Sequence, residues 1–220
     1  MNRIDALEAL ASTRAIRRFT SDPVPIADLN QMLFLATRAP SGSNRQPARF
    51  LVLRDGPRAE QARQLLQDTF ATQWAAKRRS DGHHEAAPGS ARAKMAIAMQ
   101  HFVDNFAEIP VVVLACVSRR HDHLIDGASV YPACQNLLLA ARSLGYGGVL
   151  TGWHLLIEDE LKAVCDIPDE VQIAAVIPIG VPAGNHGPVR RRPLADVVFD
   201  DGWGESAAWA TDPPGTRFTG

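Results

Sequence analysis

Pro110-Val111-Val112-Val113-Leu114-Ala115-Cys116-Val117 is the stretch on which the fold class turns. It is continuous, rich in β-branched residues and opened by proline. That pattern predicts a central strand with both faces covered. Ile173-Ala174-Ala175-Val176-Ile177-Pro178-Ile179-Gly180 has the same character and predicts a second buried strand. Phe50-Leu51-Val52-Leu53 predicts a shorter one. Between them the apolar spacing becomes helical. Ile4, Leu7 and Leu10 share one stripe, and Ile26, Leu29, Met32, Leu33 and Ala36 share another. Val130, Ala133, Leu137, Leu138, Ala141 and Leu144 mark a long helix, with Asp126 as its expected N-cap and the glycines at 145, 147 and 148 at its end. A further helix is expected over Glu158–Cys165. Strands and helices therefore alternate around one central sheet, which is α/β or α+β.

With 220 residues the chain suits one large domain, able to bury about 70% of its unfolded surface without a staple. The composition is 46% hydrophobic and 21% charged, which excludes wholesale disorder. Lys plus Arg number 23 and Asp plus Glu 24, and this balance argues against a nucleic-acid partner. Cys116, Cys134 and Cys165 are too widely spaced for a disulfide framework or a zinc site. His83-His84 lacks ligand spacing, so no metal is expected. The N-terminus has no signal-peptide core and no run spans a bilayer, so the expected location is cytoplasmic, with no membrane partner. Lys77–Ala93 is polar and punctuated by Asp81-Gly82 and Pro88-Gly89, and reads as a mobile, lid-like surface insertion. The tail from Asp200 has no periodicity.

No GxSxG, HExxH or P-loop is present. The glycine-rich Gly145–Gly152 follows a helix rather than a first strand, which fails the context of a dinucleotide fingerprint. Two arginine clusters stand out: Arg14, Arg17 and Arg18 after the first helix, and Arg190, Arg191 and Arg192 after a Gly/Pro loop. Each reads either as a solvated patch or as half of a phosphate site assembled from both ends of the chain. Ser41-Gly42-Ser43-Asn44 reads either as a plain helix stop or as a loop that hydrogen-bonds a polar ring.

Five segments, in order from about residue 12 to residue 204, carry a resemblance. Thr13-Arg14-Ala15-Ile16-Arg17-Arg18-Phe19 resembles the RSxRxF opening of the FMN-dependent nitroreductase family. Ala39-Pro40-Ser41-Gly42-Ser43-Asn44-Arg45-Gln46-Pro47 resembles its A-P-S-x-x-N-x-Q-P-W loop. Gln135–Ala141 with Leu144-Gly145-Tyr146-Gly147 is similar to its central helix, and Ile167-Pro168 with Val176–Ala183 to its closing strand. Arg190-Arg191-Arg192-Pro193-Leu194 is similar to its final basic motif.

The resemblance implies an α+β nitroreductase-like fold, with a central mainly antiparallel sheet flanked by helices, in an intertwined homodimer. It implies an FMN-binding domain over residues 1–204, with the insertion at about 77–93, and an extended C-terminal tail over 205–220. It assigns Arg14, Ala15, Arg17, Arg190 and Arg192 to the phosphate and ribityl end of FMN. Pro40, Ser41, Gly42, Ser43, Asn44 and Gln46 would reach the same FMN from the other subunit. Leu150, Thr151 and Gly152 would offer backbone groups to the flavin ring. No side chain is expected to be catalytic, because the flavin carries the hydride. The implied activity passes reducing equivalents from NAD(P)H, as co-substrate, to a small-molecule electron acceptor such as a nitroaromatic or quinone by a ping-pong cycle. The alternatives are an FMN storage or sensing protein with little turnover, and other flavin chemistry such as reductive dehalogenation or flavin fragmentation. Three positions depart from the family pattern. Thr13 stands where many members have Arg, Ala15 where most have Ser, and Ala48 in place of Trp.

Overall fold

A computed structural model describes residues 4–118, 123–184 and 186–218. Its helices are α1 (Ala6–Ser12), α2 (Ile26–Ala36), α3 (Pro57–Ser80), α4 (Ala91–Asp104), α5 (His123–Ser143) and α6 (Glu158–Cys165). Its strands are β1 (Ala48–Leu53), β2 (Val111–Ser118), β3 (Gly147–Gly148) and β4 (Val171–Gly180). They form one sheet in the order β1-β2-β4-β3, and every pairing is antiparallel.

The unbroken apolar runs of β2 and β4 follow from burial on both faces. Val112, Leu114 and Cys116 pack with Leu66, Phe70, Phe102 and Phe106, from α3, α4 and the turn after it. Val111, Val113, Ala115 and Val117 pack on the other face with Met32 of α2 and Leu137 of α5. β4 keeps this division across a bulge. Ala115 pairs with Ala175 and Cys116 with Ile173, so Ala174 is the extra residue.

The edge of the sheet positions the first arginine motif. Ala15 bridges Gly148 in parallel register, and the Ile16 amide donates to Gly148 O at 2.9 Å. Farther along, Thr20 N donates to Val181 O and Ala183 N to Arg18 O, each at 2.9 Å. Only glycine fits at this edge. A Cβ on Gly147 would lie 2.6 Å from Ile16, and one on Gly148 would lie 2.7 Å from the carbonyl oxygen of Pro178.

Two local expectations are corrected. Asp126 does not cap α5 but lies buried inside its first turn, because the helix begins at His123. Gly147 and Gly148 do not merely end that helix. Gly145, with φ +86°, ends it, and the next two glycines turn directly into β3.

The segment expected to be an insertion, 77–93, is divided among three elements. Lys77–Ser80 is the last turn of α3, 81–90 is the connection, and Ala91 opens α4. The connection is tied down on both sides. His83 stacks on Trp74 with ring centroids 5.7 Å apart, and the Ser90 hydroxyl accepts from Ala93 N at 3.1 Å. The tail turns back on its own chain. Arg191 bridges Phe218, and Trp209 Nε1 donates to Asp200 at 2.9 Å. Among the described residues, no helix is long and apolar enough to cross a membrane, and no group of side chains is suited to a metal ion.

Candidate functional site

The first arginine motif is extended, so its side chains alternate between two sides. Arg14 donates to the carbonyl of Gly187 and lines a cavity of about 860 Å³, which Arg191 also lines. Arg17, three positions on, lines a separate cavity of about 230 Å³ with Phe19, His101, Phe102, Asn105 and Glu108. Arg17 is half-buried, yet among the described residues its guanidinium has no hydrogen-bond acceptor and no carboxylate within 4.0 Å. Burial, and after it the charge of Arg14, lowers its pKa. A half-buried cation without a counter-anion is costly unless a ligand supplies one. Ala15 is exposed between the two arginines. Thr13 has its hydroxyl engaged locally, donating to Ala9 O at 2.6 Å.

The loop Pro40–Gln46 is held in strained geometry. Ser43, Asn44 and Gln46 have φ of 53°, 52° and 50°. Three non-glycine residues in the left-handed region within four positions mark a site that its surroundings hold in place. The Ser41 hydroxyl accepts from Gln46 N at 2.9 Å, and Gln46 Nε2 donates to Asn44 Oδ1 at 3.2 Å. Gly42 N donates to the Ser129 hydroxyl at 3.3 Å, which ties the loop to α5. Gly42 and Ser43 line a third cavity, of about 290 Å³.

Leu150, Thr151 and Gly152 follow β3. Thr151 exchanges two backbone bonds with Val176, at 3.0 and 2.9 Å, which fixes the segment to β4. Among the described residues, the amides of Leu150 and Gly152 have no acceptor, and Leu150 is exposed. The structure thus presents two backbone donors on either side of an anchored residue.

Within one chain, the residues singled out from sequence fall into two groups. Arg14, Ala15 and Arg17 meet Gly148 through the sheet edge, with Thr151 close behind in sequence, and Arg14 and Arg191 share a cavity. Arg190 and Arg192 flank Arg191 and are exposed. Pro40–Gln46 lies apart from these residues. It is tied to Ser129, whereas Arg142 of α5 lines the cavity of Arg14. Arg142 lies thirteen positions along the helix from Ser129, or about 20 Å at 1.5 Å per residue.

The family model described as the nitroreductase family matches residues 10–181, most of the chain. The chain belongs to the nitroreductase family. A protein of Methanothermobacter thermautotrophicus named as an NADH dehydrogenase/NAD(P)H nitroreductase is 29% identical over 194 residues, covering 85% of this chain and 82% of that protein. A 5,6-dimethylbenzimidazole synthase of Rhodospirillum rubrum is 30% identical, covering 83% of this chain and 84% of that protein. Among solved structures, a nitroreductase-type protein of Desulfovibrio desulfuricans in complex with FMN is 28% identical. It has a TM-score of 0.64, and 89% of this chain and 96% of that one are covered.

In this nitroreductase-family chain, several residues near the site carry no sequence signal. His154 is fully buried beside the Leu150–Gly152 segment, with Nε2 2.7 Å from the Ile173 carbonyl. Burial is the main cause that lowers its pKa. Arg142, His186 and Arg217 line the large cavity. Each stands alone in sequence, and only the fold gathers them.

Proposed function

We propose that this protein is a homodimeric, FMN-dependent oxidoreductase. It takes reducing equivalents from NAD(P)H and passes them to an organic acceptor such as a nitroaromatic or quinone in a ping-pong cycle. The observation that carries the reading is Arg17, a half-buried guanidinium with no acceptor among the described residues. Such a group fits the anionic and polar atoms of FMN. Arg14, Arg17, Arg190 and Arg192 hold the phosphate and ribityl end. The Leu150 and Gly152 amides donate toward the ring, and Thr151 keeps them in place. When bound, FMN supplies the hydride chemistry. The residues named here bind and orient, and none acts as nucleophile or acid.

The dimer follows from the second group of residues. Pro40, Ser41, Gly42, Ser43, Asn44 and Gln46 lie too far from Arg14 along α5 to serve the same FMN, so the loop of a second copy completes each site. Leu7, Leu10, Ile26 and Phe34, each more than half exposed on α1 and α2, supply apolar surface for that copy. The reading makes the enzyme cytoplasmic, with no nucleic-acid or membrane partner.

The test begins with the absorption spectrum of the purified protein, followed by FMN titration and sedimentation. Yellow protein, one FMN per chain and a stable dimer are expected, with NAD(P)H oxidised when a nitroaromatic is added. A colourless monomer with no saturable FMN binding would refute the reading. A second reading, flavin chemistry other than acceptor reduction, draws support from the 30% identity to the R. rubrum synthase. Product analysis of FMN-loaded, reduced protein in air without acceptor separates the two.

A further inference from the structure

Polarity is inverted in the turn Trp153–Leu156, which follows the segment given to the flavin ring. Leu155 and Leu156 are mostly exposed, while His154 before them is fully buried. Burying an imidazole and exposing two leucines is unfavourable by transfer alone, so the imidazole is held there by what it bonds. Its Nε2 lies 2.7 Å from the Ile173 carbonyl oxygen. A carbonyl only accepts, so Nε2 carries the proton and donates. Nδ1 is buried and, among the described residues, has no partner. An apolar side chain would fill the space without that cost, which leaves the Nε2 bond as the reason for histidine.

Ile173 stands where β4 runs out of partners on its β3 side. β3 pairs only with Ile179 and Gly180, and Thr151 extends that edge to Val176. At Ile173, beside the bulge at Ala174, side chains take the place of a strand. His154 takes the carbonyl, and Glu158 Oε1 accepts from the amide at 2.8 Å. Trp153 is held from α3. The Gln73 side-chain amide donates to its carbonyl, and the Phe70 ring meets its indole edge-on with centroids 5.5 Å apart. The Gly152 amide therefore lies between two fixed points, Thr151 on Val176 and His154 on Ile173. Nothing in its own chain requires glycine at 152. Its φ is −114°, which any residue adopts, and a Cβ there would meet nothing within 4 Å. Glycine at such a point suits close approach by a body from outside the chain.

We propose that His154 is a positioning residue for the flavin ring. By tying the turn to Ile173 it sets where the Gly152 amide stands, and with it how far the site favours the reduced ring. The proposal rests on the flavin reading, which gives that amide its ligand. Reduction makes the ring electron-rich, and a donor fixed in advance stabilises it more than one that must reorganise.

The experiment measures the midpoint potential of bound FMN, at saturating FMN, by dye equilibration in the parent protein, His154→Leu, His154→Asn and His154→Gln. Leucine fills the space without a donor, the asparagine amide stops at the level of Nδ1, and glutamine brings a donor back to Ile173. His154→Leu and His154→Asn are each expected to lose roughly threefold to tenfold of the preference for reduced over oxidised FMN, a fall of about 14–30 mV for two electrons. His154→Gln should recover most of it. Met32→Ala, in the core on the opposite face of the sheet, should lower stability and leave the midpoint unchanged. Hydrogen exchange on FMN-free protein gives a second readout. The Ile157 amide, bonded to His154 O at 2.9 Å, should exchange faster in His154→Leu and His154→Asn while β2 stays protected. The proposal is overturned if His154→Leu and His154→Asn keep the parent midpoint or raise it, or if His154→Gln or Met32→Ala shifts it as far as they do. Parent protein that binds no FMN, with the expected exchange at Ile157, would refute the flavin reading and leave the tie from His154 to Ile173 standing.

Discussion

Arg17→Ala separates a ligand-binding arginine from a structural one, because the two roles predict opposite changes. The guanidinium is half-buried, has no acceptor among the described residues, and sits close enough to Arg14 for that charge to lower its pKa. In the free protein, among the described residues, it makes no hydrogen bond or ion pair that its loss would cost. Removing it relieves desolvation and like-charge repulsion, so the melting temperature of FMN-free protein should stay level or rise. In the complex it supplies a charge-assisted hydrogen bond worth about 1.5–3 kcal/mol. Its loss should weaken FMN binding by about tenfold to a hundredfold. Arg17→Lys keeps the charge but not the fork and should fall between the two. Quenching of flavin fluorescence gives the affinity, and thermal denaturation of stripped protein gives the stability. An FMN-free variant that melts well below the parent while retaining full FMN affinity would refute the reasoning.

Four further outcomes follow from the same geometry. Gly148→Ala pushes a methyl group to 2.7 Å from the Pro178 carbonyl oxygen, which is backbone and cannot rotate away, so urea denaturation should show a loss of about 1–3 kcal/mol. His154 has a folded pKa below the ordinary 6.5, so the unfolded chain binds the extra proton first. Its contribution is whole above about pH 6.5 and is lost as pH falls through the folded value; His154→Gln should flatten that slope in denaturation midpoints. Cys116 and Cys134 are buried, and burial pushes both thiols up to about 12, so neither should react with a thiol reagent at pH 8 until the protein is unfolded. Replacing His83–Ser90 with a Gly/Ser loop should leave FMN affinity unchanged and shift the acceptor range. It should also lower stability, because the Ser90 cap alone is worth about 1 kcal/mol.

Much of the fold is legible in local sequence. The runs at 111–118 and 171–180 are strands because they are apolar on both faces, and Glu158–Cys165 is a helix over the residues its pattern marks. Lys77–Ser80 is harder to read. Its polar residues suggest a loop, yet the preceding part of α3, anchored by Phe70 and Trp74, carries the helix through them. Asp126 is a good cap by residue type, but α5 starts three residues earlier.

By itself, the sequence determined which segments are candidates for the site: the motif at Arg14–Arg17, the loop at Pro40–Gln46, the turn at Leu150–Gly152 and the run at Arg190–Arg192. Motifs are local, and the residue types they require are visible without coordinates. The tertiary structure decided which of these segments meet and which way each side chain points. The bridge from Ala15 to Gly148 brings the first motif to the sheet edge, and the length of α5 keeps Ser41 and Asn44 away from it. Extended backbone sends Arg14 and Arg17 to different cavities, and Arg142 and Arg217 join Arg14 only through long-range packing. Contacts of that kind depend on the path of the whole chain, which no single motif contains.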